Sequence, residues 1–299
     1  MSDTAIEYRQ MPPDLVQKIA AIGRIIDPEK TAAIYAPLAQ KPPYKDVTVA
    51  RDVKYGSDPL QALDIFTPAA SSAPRPVLIF VHGGGYVAGD KCEAGRPFHD
   101  NIMLWAVRNG MVGVNINYRL APAAPWPAGA QDTGAAVHWV ADHIAAQGGD
   151  PKRIFLMGHS AGGNHVASYI AHKEFHGPKG VGIAGAILVS GTYDLTRTET
   201  IEDRFKVYFG ADQSRYAERS SVAGLVDSDL PILLATGELN MPRHLTQFNL
   251  LKDALNRRTR GSLRAFIPPH HSHISEIYAI NTQDESLTGP IREFIDAIG

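Results

Sequence analysis

The stretch Gly158-His159-Ser160-Ala161-Gly162 decides the fold, because of what stands on either side of it. Residues 153–157 form a short apolar run that predicts a strand, and residues 164–171 have the pattern of a helix. A serine with glycines two positions before and after it is typical of a sharp strand-to-helix turn, where a flanking side chain would collide with neighbouring backbone. Such a turn lifts the Ser160 hydroxyl clear of the sheet and places the Ala161 amide at a helix N-terminus, facing developing negative charge.

A second motif, His82-Gly83-Gly84-Gly85-Tyr86, follows the apolar residues 77–81, which predict a buried strand. A glycine-rich turn on its own is usually no more than flexible. Three successive glycines at the end of a strand, however, leave bare backbone N–H groups that are able to turn towards a ligand. That arrangement builds an oxyanion hole, and together the two motifs favour the functional interpretation.

With these motifs the chain resembles the α/β-hydrolase superfamily, and within it the hormone-sensitive-lipase-like carboxylesterases and the kynurenine formamidase-like enzymes. Residues 117–122 (Asn-Tyr-Arg-Leu-Ala-Pro), followed by Pro127-Ala128 and Asp132, add a third matching block. The resemblance covers roughly residues 45–299. It implies that the oxyanion amides belong to Gly84, Gly85 and Ala161.

The predicted fold class is α/β, a single domain over residues 1–299 with a mostly parallel central sheet flanked by helices. Strands are predicted near residues 46–54, 62–66, 76–81, 112–117, 153–157, 184–190, 231–236 and 263–267. Apolar residues at helical spacing predict two short helices within residues 13–39, and the resemblance implies that residues 1–45 cap the site. Residues 195–228, charged and aromatic, are the expected second cap segment.

The composition limits the classes of molecule that the chain is expected to bind. The formal net charge is −2 and the pI is about 6.6, which gives no reason to expect nucleic acid or an anionic membrane. Cys92 is the single cysteine, so a disulfide within the chain and a cysteine-based zinc site are excluded. The polar residues 1–10 lack the apolar segment of a signal peptide, and no apolar run approaches 18 residues. We expect a cytoplasmic protein without metal or organic cofactor.

A serine hydroxyl is a poor nucleophile until a base takes its proton, so a histidine is expected after the last strand. Three histidines follow residues 263–267 in the run His270-His271-Ser272-His273. The family pattern places the histidine just before an Ile-Ser helix start, which favours His273 over His271 and His270. A metal site made by this histidine run is disfavoured, because no carboxylate-rich motif accompanies it.

The third member of the expected triad departs from the family pattern. A Gly-x-x-Asp turn is expected after residues 231–236, and this chain has Gly237-Glu238-Leu239-Asn240. An amide orients an imidazole but carries no full charge to stabilise the imidazolium. Three hypotheses stay open: Glu238 reaches the histidine with its longer side chain, Asp194 after the preceding strand takes the role, or Asn240 itself serves.

The resemblance implies a serine hydrolase acting on a small carboxylic ester or an activated amide. Because amide hydrolysis depends more on a well-stabilised imidazolium, the missing carboxylate favours the ester. Two alternatives remain, an N-formyl aryl amide hydrolase and a catalytically weak ligand-binding member of the fold. The oligomeric state stays open, with a homodimer suggested by analogy alone.

Overall fold

The computed structural model describes residues 7–69, 74–92, 95–197 and 202–298. Eight strands form a single sheet: β1 (Val47–Lys54), β2 (Ala62–Pro68), β3 (Arg75–Val81), β4 (Val112–Ile116), β5 (Gly149–His159), β6 (Gly185–Val189), β7 (Ile232–Ala235) and β8 (Leu263–Phe266). All eight lie where the sequence predicts a strand. The largest difference is at β5, which begins at Gly149 because this residue pairs with Arg75 at the start of β3.

The strand order across the sheet is β1-β2-β4-β3-β5-β6-β7-β8. The pairs β1–β2 and β2–β4 are antiparallel, and the remaining pairs are parallel. Strands β3, β4, β6 and β7 read as apolar runs and are mostly buried, because helices cover both faces of the sheet. The edge strand β8 is only partly buried. The predicted α/β class with a mostly parallel sheet is confirmed.

Eleven α-helices lie in the described part of the chain: α1 (Pro13–Ile22), α2 (Pro28–Tyr35), α3 (Asp100–Arg108), α4 (Ala128–His143), α5 (Ala161–Ala171), α6 (Asp203–Phe209), α7 (Tyr216–Arg219), α8 (Val222–Val226), α9 (Pro242–Leu255), α10 (Ser275–Tyr278) and α11 (Thr288–Ile298). The sheet divides the main core into two clusters, since successive side chains of a strand point to opposite faces. In β3, Ile79 belongs to the cluster that contains residues of α4, α5 and α9, whereas Phe80 belongs to the cluster that contains residues of α3 and α11.

The carboxyl ends of the parallel strands meet at one edge of the sheet, where ligands bind in open α/β sheets. Helices α1 and α2 pack near this edge in a small cluster with Phe98 and Ala279. Helix α6 contributes Phe205 and Phe209 to another cluster, which also contains Ala161 of α5. Both expected cap segments therefore contact elements near Ser160, although residues 1–6 and 198–201 of those segments lie outside the described residues.

Among the described residues, none of the helices combines the length and the apolar composition needed to cross a bilayer.

Candidate active site

Ser160 lies at the turn between β5 and α5, with the strained backbone angles φ 56° and ψ −119°. The flanking glycines are required by close backbone contacts. A Cβ on Gly158 would lie 2.3 Å from the carbonyl oxygen of Gly162, and one on Gly162 would lie 2.0 Å from that of Val81. The predicted steric reason for the motif is confirmed, and the turn holds the serine at the carboxyl end of the sheet.

The structure brings together Ser160, His273 and Asn240 from three different loops. The Ser160 hydroxyl donates to His273 Nε2 across 2.9 Å. On the other side of the ring, His273 Nδ1 lies 3.2 Å from Asn240 Oδ1. This is the serine, histidine and third-residue order expected of an activated nucleophile.

Asn240 is fully buried, and its neighbours determine which way its amide points. Its Nδ2 donates to the hydroxyls of Ser190 at 2.8 Å and Thr236 at 3.1 Å, while its Oδ1 accepts from the Met241 N–H at 2.8 Å. The oxygen therefore faces His273 and accepts from Nδ1–H. That bond holds the tautomer in which Nε2 is free to accept the serine proton.

The structure does not bring Glu238 or Asp194 to the histidine. Glu238 is about half exposed, and its Oε2 accepts from the backbone N–H of His270. The Asp194 side chain accepts from the backbone N–H and the hydroxyl of Thr196, so it closes a local turn. Of the three hypotheses for the third position, this geometry fits Asn240 and neither carboxylate.

The other two histidines of the run also point elsewhere. His271 Nε2 lies 3.0 Å from a carboxylate oxygen of Asp284, and both side chains are buried. His270 is exposed beside Glu238. The sequence-based preference for His273 therefore agrees with the distances.

His273 is buried, and burial lowers its pKa well below the usual 6.5. Nearby His244, whose ring stacks on His273 with centroids 4.3 Å apart, and His159 add to this lowering. Two arginines, Arg243 and Arg204, act in the same direction. The imidazole is therefore neutral at neutral pH, the state that a general base needs.

The glycine loop after β3 passes close to the serine, since a Cβ on Gly83 would lie 3.2 Å from Ser160 Cβ. A cavity of about 370 Å³ opens here, lined by Gly84 and Gly85, by Ser160 and His273, and by Ile26 and Pro28 before and in α2. Ala161 is the first residue of α5, so its N–H has no acceptor within the helix. The three predicted oxyanion residues thus line cavities that Ser160 also lines.

Two larger hollows, of about 740 and 540 Å³, lie at the amino ends of the parallel strands, around residues 145–152 and 178–183. Ser160 is at the opposite, carboxyl end of the sheet. The smaller cavity is the candidate substrate site, because ligands in this fold class bind beyond the carboxyl ends of the strands.

Sequence reasoning missed a buried pair beside the nucleophile. His159 Nε2 lies 3.1 Å from Glu276 Oε1, and both side chains are buried. With His273 they form a group whose ligand atoms lie within 4.8 Å of one another, the geometry of a possible metal site. His159 Nε2 is already occupied by hydrogen bonds to Glu276 and to the His273 carbonyl, so these residues do not fit a free ligand set.

The sequence model of the BD-FAE family matches residues 63–237, more than half of the 299 residues. The chain belongs to the BD-FAE family. The matched range runs from β2 to the turn after β7, so it contains both the glycine loop and Ser160. His273 lies beyond it.

Similar curated proteins include carboxylesterase NlhH of Mycobacterium tuberculosis, 41% identical over 101 residues, or 33% of this chain and 30% of that protein. Esterase LipC of the same organism is 32% identical over 153 residues, or 49% of this chain and 37% of that protein. The matches thus span about a third of the length of these relatives.

Solved structures extend the likeness to nearly the whole chain. Esterase B from Lactobacillus rhamnosis has a TM-score of 0.73 at 21% identity, covering 95% of this chain and 94% of its own. The Pyrobaculum calidifontis esterase has a TM-score of 0.71 at 22% identity, covering 97% and 100%. At this level of identity the likeness shows the fold. The BD-FAE chain has the α/β-hydrolase fold that its motifs predict.

Proposed function

We propose that this chain is a serine hydrolase that cleaves small carboxylic esters through an acyl-enzyme intermediate. The observation that carries the proposal is the hydrogen bond of 2.9 Å between Ser160 Oγ, on a strained strand-to-helix turn, and His273 Nε2. Family membership and esterase relatives support the same chemistry. The chain matches these two esterases over about a third of their length.

In the first half-reaction, Ser160 Oγ forms a bond to the ester carbonyl carbon while its proton passes to His273 Nε2. The C–O bond to the alcohol then breaks, and the alcohol leaves with that proton. In the second half-reaction, water gives a proton to the same nitrogen and attacks the acyl carbon. The bond from this carbon to Ser160 Oγ then breaks, Oγ takes the proton from Nε2, and the acid leaves.

The oxyanion that forms in each half-reaction is assigned to the backbone amides of Gly84, Gly85 and Ala161. Removing one such donor from a serine hydrolase typically costs a factor of 10² to 10³ in rate. The closeness of the glycine loop to the serine and the helix N-terminus at Ala161 support this assignment.

The neutral third residue favours esters over ordinary amides. Asn240 orients His273 but supplies no charge to the imidazolium, and a poor leaving group depends most on that imidazolium. A cavity of about 370 Å³ suits a small substrate. An activated amide such as a formanilide is the second substrate class, supported by the resemblance of the serine motif and of residues 237–242 to the formamidase-like enzymes.

We also propose that residues 1–45 and 195–228 cap the site, because Ile26 and Arg204 line cavities next to Ser160. A cytoplasmic location and a homodimer are further proposals, resting on composition and on analogy.

Steady-state hydrolysis of p-nitrophenyl acetate tests the activity, with Ser160→Ala as the blank and a formanilide as the competing substrate class. We expect turnover of the ester that is lost in the variant, with slower or undetectable turnover of the formanilide. Ester hydrolysis equal to the blank, in protein that retains its fold, overturns the proposal and leaves a ligand-binding role.

A further inference from the structure

His273 must become positively charged during the proposed reaction, yet its surroundings oppose that charge. Burial and the neighbouring histidines and arginines hold the pKa of His273 well below 6.5. The side chain that accepts its Nδ1–H is the neutral amide of Asn240. Rapid reaction at Ser160 therefore requires that a residue other than Asn240 supply negative charge near the His273 imidazolium.

Glu276 is a buried carboxylate on the same stretch of chain, in α10, three residues after His273. Its side chain is fully inaccessible to solvent. Oε2 accepts from the backbone N–H of Gly237 at 2.8 Å, and Oε1 lies 3.1 Å from His159 Nε2. Both oxygens act as hydrogen-bond acceptors, so the side chain is held between the Gly237 turn and His159.

His159 connects this carboxylate to the catalytic histidine. Its Nε2 faces Glu276 Oε1 and also the backbone oxygen of His273, at 2.8 Å, so this nitrogen carries the hydrogen that both acceptors share. The His159 and His273 rings are 4.7 Å apart between centroids. A Glu276 oxygen and a ring nitrogen of His273 lie within 4.8 Å of each other.

We infer that Glu276 supplies the negative charge that Asn240 lacks, stabilising the His273 imidazolium through space while its bonds to His159 and Gly237 hold the two loops together. This inference rests on the proposed function. Glu276 touches neither Ser160 nor the expected substrate position, so it is a positioning and electrostatic residue.

The expected size of the effect follows from the distance. At 4.8 Å and an effective dielectric constant of 20, a unit negative charge raises the equilibrium constant for protonation of the imidazole by a factor of about 300. Only part of the positive charge has developed in the transition state, so removing the charge should lower kcat by about 10- to 300-fold. KM should change by less than about threefold, because the interaction is made in the transition state.

The test is Glu276→Gln, which removes the charge and keeps an oxygen to accept from Gly237. Two quantities are measured: kcat for p-nitrophenyl acetate at pH 8, and the pKa of His273 by NMR of histidine-labelled protein, both resting and with a boronic acid bound to Ser160. We expect kcat to fall, and His273 to bind its proton more weakly by a similar factor.

Asp284→Asn is the matched control. Asp284 is another buried carboxylate, 3.0 Å from His271 of the same loop, so its replacement removes a comparable carboxylate beside a histidine. We expect the pKa of His273 and kcat to stay within about threefold of the wild-type values. If Glu276→Gln does not fold, Glu276→Asp keeps the charge one methylene farther away, and the same two quantities should shift in the same direction by less.

Each outcome decides the question. Unchanged kcat and unchanged pKa in Glu276→Gln overturn the inference while the serine hydrolase stands. A lower kcat with an unchanged pKa also overturns it, because the role is then structural. If the wild type shows no turnover but the pKa of resting His273 falls in the variant, the electrostatic link stands and the proposed function fails.

Discussion

Replacing Asn240 by Asp is the most informative single change, because it restores the missing charge at the position that contacts His273. Asn240 Oδ1 lies 3.2 Å from His273 Nδ1. The second carboxylate oxygen would take the place of Nδ2, which now donates to the hydroxyls of Ser190 and Thr236. A hydroxyl group donates as well as accepts, so both can turn towards the new oxygen if they give up the 3.0 Å hydrogen bond between them. The pocket therefore accommodates Asp by reorienting these two hydroxyls.

The size of the gain follows from the same distance. A unit charge 3.2 Å from an imidazolium contributes about 5 kcal/mol at an effective dielectric constant of 20, equal to a rate factor of about 10³ to 10⁴. The reverse change in the best-known serine protease triad costs about 10⁴ in kcat. Because burying a carboxylate offsets part of the gain, we expect Asn240→Asp to raise kcat by about 10² to 10⁴ with little change in KM.

The assay is p-nitrophenyl acetate hydrolysis at pH 8, with Ser160→Ala in the Asn240→Asp background as the blank. Asn240→Ala serves as the companion variant, since it removes the orienting oxygen without adding charge and should fall below the wild type. The reasoning is refuted if Asn240→Asp is folded, with a melting temperature near that of the wild type, and its kcat is equal to or below the wild-type value.

Three further results are expected. Because burial lowers the pKa of His273 well below 6.5, kcat/KM should stay level as the pH falls through 6.5 and decline only in more acid solution; a midpoint near 6.5 in the pH profile would contradict this. Three buried histidines have their pKa lowered to about 3 by burial: His99, His165 and His244. As the pH falls, these histidines take up protons in the unfolded chain before they do so in the folded one. The free energy of unfolding is therefore unaffected by them above pH 6.5 and falls between pH 6.5 and pH 3, by up to ~2.7 kcal/mol per histidine at pH 4.5. Urea titrations that give equal free energies of unfolding at pH 7 and pH 4.5 would contradict this. Gly162→Ala places a methyl group 2.0 Å from the Val81 oxygen and should lower kcat and the melting temperature together, whereas a variant indistinguishable from the wild type would show that the turn relaxes freely.

The sheet was predictable because its strands are short apolar runs separated by helical segments and turns. The start of β5 was not, since residues 149–152 read as a turn and pair with β3 only through Gly149. Periodicity reports which segments are buried. It says little about a glycine, such as Gly149, whose pairing depends on a strand that is distant in the chain.

Within the site, Ser160 and His273 were predictable from motif and chain order, whereas the third residue was not. Glu238 and Asn240 lie two residues apart in one turn, and the direction of each side chain depends on how that turn is held. The backbone N–H of Leu239 donates to the His271 carbonyl, and that of Asn240 donates to the Gly237 carbonyl, which turns Asn240 inward. Glu238 consequently faces solvent. Composition and residue spacing do not determine which of these two side chains points inward.

The pair of His159 and Glu276 escaped prediction for a related reason. Each residue adjoins a motif, His159 before the serine and Glu276 after the histidine run, but only the fold brings them 3.1 Å apart. The contact between this buried glutamate and histidine is made by the packing of two loops, and neither motif on its own indicates it.

The most direct test of the central claim is covalent labelling of the wild type with a fluorophosphonate, followed by mass spectrometry of the digested protein. The account predicts one modified residue, Ser160, with labelling abolished in Ser160→Ala and slowed in His273→Ala, in proteins that keep their circular dichroism spectra. Labelling at another residue, or none on the folded wild type, would contradict the claim that His273 activates Ser160 as a nucleophile.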